Sequence, residues 1–382
     1  MIRHYFDHAS TTPVDARVVR EMCAYLEIEG QFGNPASTTH GFGWEASEAV
    51  EAARELVADT LGAGPREIVW TSGATEADNL AIKGLFEAMA TSTGRNKIVT
   101  LASEHKAVLD PVQYLQRHAG ADVVVLNPLP SGLIDLDALE AVLDQTTLLV
   151  SVMAVNNETG VIQPLAEIAQ RTHAQGAYLH SDMAQAIGKI DTDVAQLGVD
   201  LASLSAHKVH GPKGVGALYV RRGQFRVAEQ MHGGGHERGM RSGTLPTHQL
   251  VGMAAAYRLG QDEGPEDRLR LQRYRQQVLE ALAKLGGVRV NGEGVPHILN
   301  ITVDGVEAEP LMAAMPEIAI STGSACNSAT LEPSHVLRSM GLSRQEGLSS
   351  LRVSFGRTTS DPDIIALIDA LTRAISGLRR ST

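Results

Sequence analysis

The chain has 382 residues, 43% hydrophobic and 20% charged, with 33 Lys plus Arg against 44 Asp plus Glu and a formal net charge of −11. That composition excludes a disordered chain and argues against broad non-specific nucleic-acid binding, and no apolar run reaches the roughly 20 residues that span a membrane. The length passes the size at which one hydrophobic core keeps growing, so two domains are expected.

The N-terminus, MIRHYFDHAS, lacks the apolar core of a signal peptide, which points to a cytoplasmic protein. Its HYFDHAS stretch reads as a short edge segment. From about residue 45 to 255, short β-like runs alternate with helical periodicity. EIVWTSG, NKIVTLAS, DVVVL, TLLVSVMAV, AYLHSD, VDLASLSA and GVGALYV read as strands. ATEADNLAIKGLFEAM, LDALEAVLDQ and LAEIAQRTHAQG read as helices. Such alternation predicts a mostly parallel sheet covered by helices. Beyond 256, DRLRLQRYRQQVLEALAKL predicts a long amphipathic helix, followed by strands VRVNG, HILNITV and SSLRVSFG and a last helix, PDIIALIDALTRAIS. The expected division is a large domain over 15–255 and a smaller α+β domain made of 1–14 and 256–382. No repeat of 20–50 residues is evident.

Polar residues cluster just after the predicted strand ends, where an open α/β sheet binds its ligand. In TSGATEADN a Gly-containing turn leads into a helix near Ala74 and Thr75. It suits a phosphate, or it is ordinary helix capping. It is not a Walker A loop. Asp182, in HSDMAQ, is either a helix cap or an acid that keeps a heteroaromatic nitrogen protonated, as a pyridoxal phosphate ring requires. In SLSAHK, Lys208 follows a period-two strand end. It is either an exposed loop lysine or one placed to form a Schiff base with a carbonyl cofactor. Ser205 and His207 flank it as candidate phosphate ligands. The chain has two cysteines, Cys23 and Cys326, too few for an all-cysteine zinc site. Cys326, in STGSACNSAT, lies in a small-residue stretch that reads as an exposed loop at about 321–333. Cys23 shares a helical face with Val19 and Leu26 and is expected in the core.

Several segments together resemble the cysteine desulfurases, class V members of the fold-type I pyridoxal-phosphate enzymes, of the housekeeping and nitrogen-fixation type. They are GNPASTTHGFGWEA, TSGATEADNLAIKG, SEHKAVL, VNNETGV, SLSAHKVHGPKGVGALYVRR, MHGGGHERGMRSGTLPTHQLVG and STGSACNSATLEPSHVLRSMGL. The resemblance runs from about Tyr5 to Leu378. It implies an α/β fold-type I transferase with a seven-stranded, mostly parallel sheet, and pyridoxal 5'-phosphate as cofactor. Lys208 would carry the cofactor covalently, and His105 would stack on its ring and help move protons. Asp182 would face the ring nitrogen, and Gln185 the phenolic oxygen. Ala74, Thr75, Ser205 and His207 would hold the phosphate, joined by Thr244 from a partner subunit of a homodimer. Asn157 and Arg352 would bind the substrate carboxylate. Cys326 would take sulfur from L-cysteine as a persulfide, leaving L-alanine, and pass it to an acceptor such as an iron–sulfur scaffold. No resident metal is implied, although Cys326 could touch an iron–sulfur cluster in passing. Ala206 and Asn327 stand where the family commonly has Gly and Thr. Housekeeping members commonly continue into a tail that helps to dock the scaffold; this sequence ends at GLRRST, which either puts docking to such a scaffold in doubt or shifts it to other surfaces. Two other readings stand beside this one: a selenocysteine lyase or other class V enzyme, and a non-catalytic sulfur carrier that keeps Cys326 alone. The co-occurrence of Lys208, Asp182 and His105 speaks against the carrier.

Overall fold

The computed structural model describes residues 4–223, 225–322 and 332–381. Twelve strands are present among them: β1 (His4–Tyr5), β2 (Ile68–Thr71), β3 (Lys97–Leu101), β4 (Asp122–Leu126), β5 (Thr147–Ser151), β6 (Tyr178–Asp182), β7 (Leu201–Ser205), β8 (Gly216–Val220), β9 (Val288–Val290), β10 (Ile298–Val303), β11 (Ile318–Ala319) and β12 (Ser350–Ser354).

Seven of them form one sheet in the order β2-β8-β7-β6-β5-β3-β4. Every neighbouring pair is parallel except those made by β8, which runs antiparallel to both β2 and β7. Central strands such as β5 are buried along their whole length, as expected of parallel strands covered on both faces. Successive side chains point to opposite faces. Thus Val150 joins the core with Trp70, Leu179 and Leu204, while its neighbour Leu149 joins the core with Leu80, Ile82 and Leu85. The helix Ala74–Thr93 covers that second face and ends on Gly94, whose φ of 70° is the left-handed cap glycine accepts without strain. Close packing sets its start. A Cβ at Gly216 of β8 would lie 2.6 Å from the Gly73 Cα.

A separate core gathers Leu299, Ile301 and Val303 of β10, Leu351 and Val353 of β12, and Leu367, Leu371 and Ile375 of the last helix, Asp361–Ser381. It lies over an antiparallel sheet in the order β12-β10-β9. Phe6 from the start of the chain belongs to this core, edge-on to Phe355 at 5.9 Å. The helix Thr247–Ala283 serves both cores. Its first half packs Leu250, Met253 and Tyr257 into the large core, and its second half packs Leu271, Tyr274, Val278 and Leu282 into the small one. The boundary expected at 255/256 therefore falls inside one unbroken helix.

One expectation is corrected. Cys23 is exposed at the last position of the helix Ala16–Cys23; Val19 one turn before it is 43% exposed, and Leu26, in the turn after the helix, is 56% exposed. The apolar side chains are there, but none of the described residues covers them. The stretch around Cys326, residues 323–331, lies outside the described residues.

Candidate active site

The seven-stranded sheet delivers its polar residues to one place. A cleft of about 450 Å³ opens beyond the carboxyl ends of the strands. Nine of the expected residues line it: Ala74, Thr75, His105, Asn157, Asp182, Gln185, Ser205, His207 and Lys208. Arg352 joins from β12, donating Nη1 to the Asn157 carbonyl at 2.9 Å. Thr244 is exposed and does not line the cleft. Cys326 lies outside the described residues.

Lys208 sits in a sharp turn. Two residues on, His210 takes a left-handed φ of 64°, a conformation that costs a non-glycine residue roughly 1–3 kcal/mol unless its surroundings hold it. They do. Its N–H donates to Thr12 Oγ1 at 2.8 Å, its Nδ1 contacts the Pro13 carbonyl at 3.0 Å, and its Nε2 accepts from Arg357 N–H at 3.2 Å. A carbonyl can only accept, so His210 carries its proton on Nδ1 and is neutral. The Lys208 Nζ donates to the Ala9 and Ser10 carbonyls at 2.7 and 2.6 Å.

Asp182, at the end of β6, accepts from Ala184 N–H at 2.9 Å. Burial pushes its carboxyl up, against the opposing pull of that N–H, His105 and Lys208. A second acid lies behind it. Asp78, on the helix Ala74–Thr93, lines the same cleft, is 0% exposed, and among the described residues accepts from no backbone N–H and no cation; the Ser203 hydroxyl alone supports its anion. Burial and then the charge of Asp182 push it well up.

His105 caps the helix Lys106–His118, its Nδ1 accepting from Ala107 N–H at 3.1 Å. The nitrogen that accepts carries no proton, and burial lowers the ring's affinity for a second one. The ring is therefore neutral, with its proton on Nε2. His207 is pushed down to about 4 by burial, then by Lys208, and its Nδ1 lies 3.1 Å from Thr11 Oγ1. Gln185 donates Nε2 to the Ala9 carbonyl at 2.8 Å, and Lys189 Nζ donates to its Oε1. The lysine thus fixes which end of the amide is the donor. Arg352 is 1% exposed; Nη2 donates to Asp7 Oδ1 at 2.7 Å, and Nε is buried with no partner among the described residues.

The sequence reading missed Asp78, Lys189 and Asp7. Asp78 stands in the quoted TSGATEADN, but a lone acid in a helix reads as solvent-facing until the helix is seen packed on the sheet.

This cleft has the features a phosphorylated pyridine aldehyde requires. No side chain caps the helix start at Gly73, so its first turn faces the cleft beside Thr75 without a capping oxygen. A lysine amine and a buried acid, Asp182, whose charge is felt by Lys208 and His105, complete the set.

The chain belongs to the Aminotransferase class-V family, whose profile matches residues 4–367. It is 50% identical to the cysteine desulfurase IscS of Edwardsiella ictaluri over 379 residues, covering 98% of this chain and 93% of the relative. Among solved structures it is similar to a NifS-like protein (TM-score 0.90, 34% identity, 99% and 100% of the two chains). It is also similar to SspA in complex with cysteine (TM-score 0.80, 35% identity, 94% and 100%).

Proposed function

We propose that the protein is a pyridoxal-phosphate-dependent cysteine desulfurase that converts L-cysteine to L-alanine and carries the sulfur as a persulfide on Cys326. The convergence of Lys208, Asp182 and Thr75 on one cleft carries this reading. The cofactor supplies a carbonyl that takes up the substrate amine and a ring that accepts electrons from the substrate Cα. Thr75, Ser205, His207 and the helix start at Ala74 hold its phosphate. Asp182 would pair with the ring nitrogen and keep it protonated, and the Gln185 amide would bond the phenolic oxygen. His105 covers the ring, and its Nε2 holds a transferable proton. Arg352 and Asn157 orient the substrate carboxylate, for which a planar guanidinium offers paired donors. Lys208 Nζ takes the Cα proton and returns one to the departing alanine. The Cys326 thiolate attacks the substrate sulfur, forming an S–S bond as the substrate C–S bond breaks.

The working unit in this proposal is a homodimer. Leu26, Ile28, Phe32, Phe42 and Trp44 are 56%, 78%, 47%, 53% and 55% exposed, an unusual concentration of apolar surface on one stretch of chain. A second copy covering it would also give Thr244, away from its own cleft, a phosphate to reach in the other. Sedimentation velocity checks this, and a monomer at micromolar concentration refutes it. The sulfur acceptor is a protein thiol or scaffold. The thiolate chemistry suits a reducing, cytoplasmic setting, and among the described residues no helix is long and apolar enough to cross a membrane.

The deciding experiment supplies 35S-cysteine to the cofactor-loaded protein. Label on Cys326 with equimolar alanine is the expected result. Cys326→Ser keeps the visible cofactor band and loses the protein-bound label; label retained at the wild-type level refutes the assignment.

A further inference from the structure

Asp78 is a fully buried acid without a cation. The groups facing it come from β6, β7 and the turn after β3, and none carries a dependable positive charge. His180 of β6 has Nε2 3.5 Å from Asp78 Oδ1. That ring is itself 0% exposed, lies 2.8 Å from Ser151 Oγ and 2.9 Å from Ser203 Oγ, and burial pushes it down to about 3. It is a neutral imidazole. From β7 comes the Ser203 hydroxyl, and from β6 and the turn after β3 come two further acids, Asp182 and Glu104, which act on Asp78 through their charge. Glu104 is 0% exposed too. Three carboxyls thus share one unsolvated region under the cleft.

They are not equivalent. Asp182 has the Ala184 N–H and looks toward His105 and Lys208. Glu104 has the Met153 N–H at 2.8 Å. Asp78 has no N–H and no cation. Neighbouring buried carboxyls cannot all ionise, and the proton stays on the acid whose anion is least supported.

We propose that Asp78 is a positioning residue that keeps its proton throughout the working range, so that it serves the cleft floor as a neutral hydrogen-bonding group and leaves Asp182 as the anion that meets the ring nitrogen. This rests on the reading of Asp182 given under the proposed function. The neutral acid fills the space behind Asp182 and gives His180 and Ser203 a polar neighbour without adding a competing charge. An ionised Asp78 would hold the ring proton jointly with Asp182, and cofactor affinity would then depend on its charge.

Infrared spectroscopy of the cofactor-loaded enzyme tests the protonation directly. Labelling aspartate with 13C separates its bands from those of glutamic acids such as Glu104. Asp200, also 0% exposed, is ion-paired with Arg221 at 2.7 Å, and comparison with Asp78→Asn separates its bands from those of Asp78. The expected spectrum has an aspartic-acid C=O band that persists from about pH 6 to about pH 9, well above the ordinary carboxylate range. Asp78→Asn removes it. Absence of the band in the wild type overturns the proposal. The variants give a second readout in cofactor retention and the pH titration of the visible band. Asp78→Ala is expected to weaken cofactor retention at least tenfold, and Asp78→Asn, neutral and of the same shape, to recover most of that loss. Equal defects in the two variants also overturn it. Should neither variant fold, the labelled wild-type band decides alone. Asp182→Asn separates the two readings: unchanged cofactor retention and spectrum there would sink the ring-nitrogen assignment while leaving the Asp78 band in place.

Discussion

Arg352 and Asn157 are joined through the main chain. The guanidinium Nη1 donates to the Asn157 carbonyl at 2.9 Å, which leaves the Asn157 side chain lining the cleft. The two residues therefore separate on mutation. Asn157→Ala removes the proposed substrate contact and keeps the arginine anchored. Arg352→Lys replaces a rigid fork by a single ammonium, which cannot hold the Asn157 carbonyl and Asp7 and still present paired donors. Losing a hydrogen bond to a charged group costs about 1.5–3 kcal/mol, roughly ten- to a hundredfold. The expected result for Arg352→Lys is a KM for cysteine raised by that factor with the visible cofactor band intact. An unchanged KM would remove Arg352 from substrate binding.

Lys208 tests the other half of the cleft. After gel filtration, Lys208→Ala is expected to have lost the cofactor and its visible band, since Lys208 is the residue proposed to carry it, whereas replacement of Lys213, which also lines the cleft, is expected to leave the band in place. Retention of the wild-type spectrum would refute the assignment.

Lys189 carries a pH signature. Its ammonium is buried, beside Lys208 and Arg352, and is pushed down to about 7 from an ordinary 10.5. Between those values the unfolded chain binds the proton and the folded chain does not, so this group makes stability rise with pH across that window. Its penalty is full below pH 7 and gone above 10.5. Lys189→Met removes it, at the cost of leaving Gln185 Oε1 without its donor. Melting curves should show the variant gaining most on the wild type near pH 6–7, by an amount on the order of a few kcal/mol, with the gain shrinking toward pH 10. A difference constant with pH would exclude this origin.

Arg54 and Glu237 form a two-point ion pair, Nη1 to Oε2 at 2.7 Å and Nη2 to Oε1 at 2.8 Å, with side chains 4% and 2% exposed. Glu237 also accepts from the Trp70 N–H at 2.8 Å, fastening the turn before Thr244 to β2. Arg54→Met leaves that carboxylate buried and alone, and is expected to cost about 3–5 kcal/mol in denaturant unfolding. Adding Glu237→Gln should recover part of the loss. A double variant as unstable as the sum of the two single ones would show that the pair does not act as a unit.

Much of the cleft is legible in sequence because α/β topology makes strand ends informative. Thr75, His105, Asn157, Asp182 and Ser205 each follow or end an apolar run, and the sheet does the rest. The less visible residues have a common physical reason. Asp78 and Lys189 sit where sequence position alone suggests solvent, and only packing puts them at 0% and 9% exposure. Cys23 fails in the opposite sense: periodicity reveals an apolar stripe on Ala16–Cys23 but not what covers it. Thr244 was assigned to the site by family resemblance, and no pattern within one chain could show whether it serves its own cleft.

The extreme N-terminus has a consequence for synthesis. His4 pairs with Ile318, Asp7 with Ser354, and the Ala9 and Ser10 carbonyls receive Lys208. These first residues leave the ribosome long before the strands that hold them. The large sheet can assemble when residue 220 is out, yet Lys208 gains its final surroundings only after residue 354 has followed. Pairings so distant along the chain form late. A nascent chain stalled at residue 300 should therefore hold a folded sheet but leave Asp7 and Ala9 without the β12 partners that fix them, so that cofactor is held more weakly until β12 has been made.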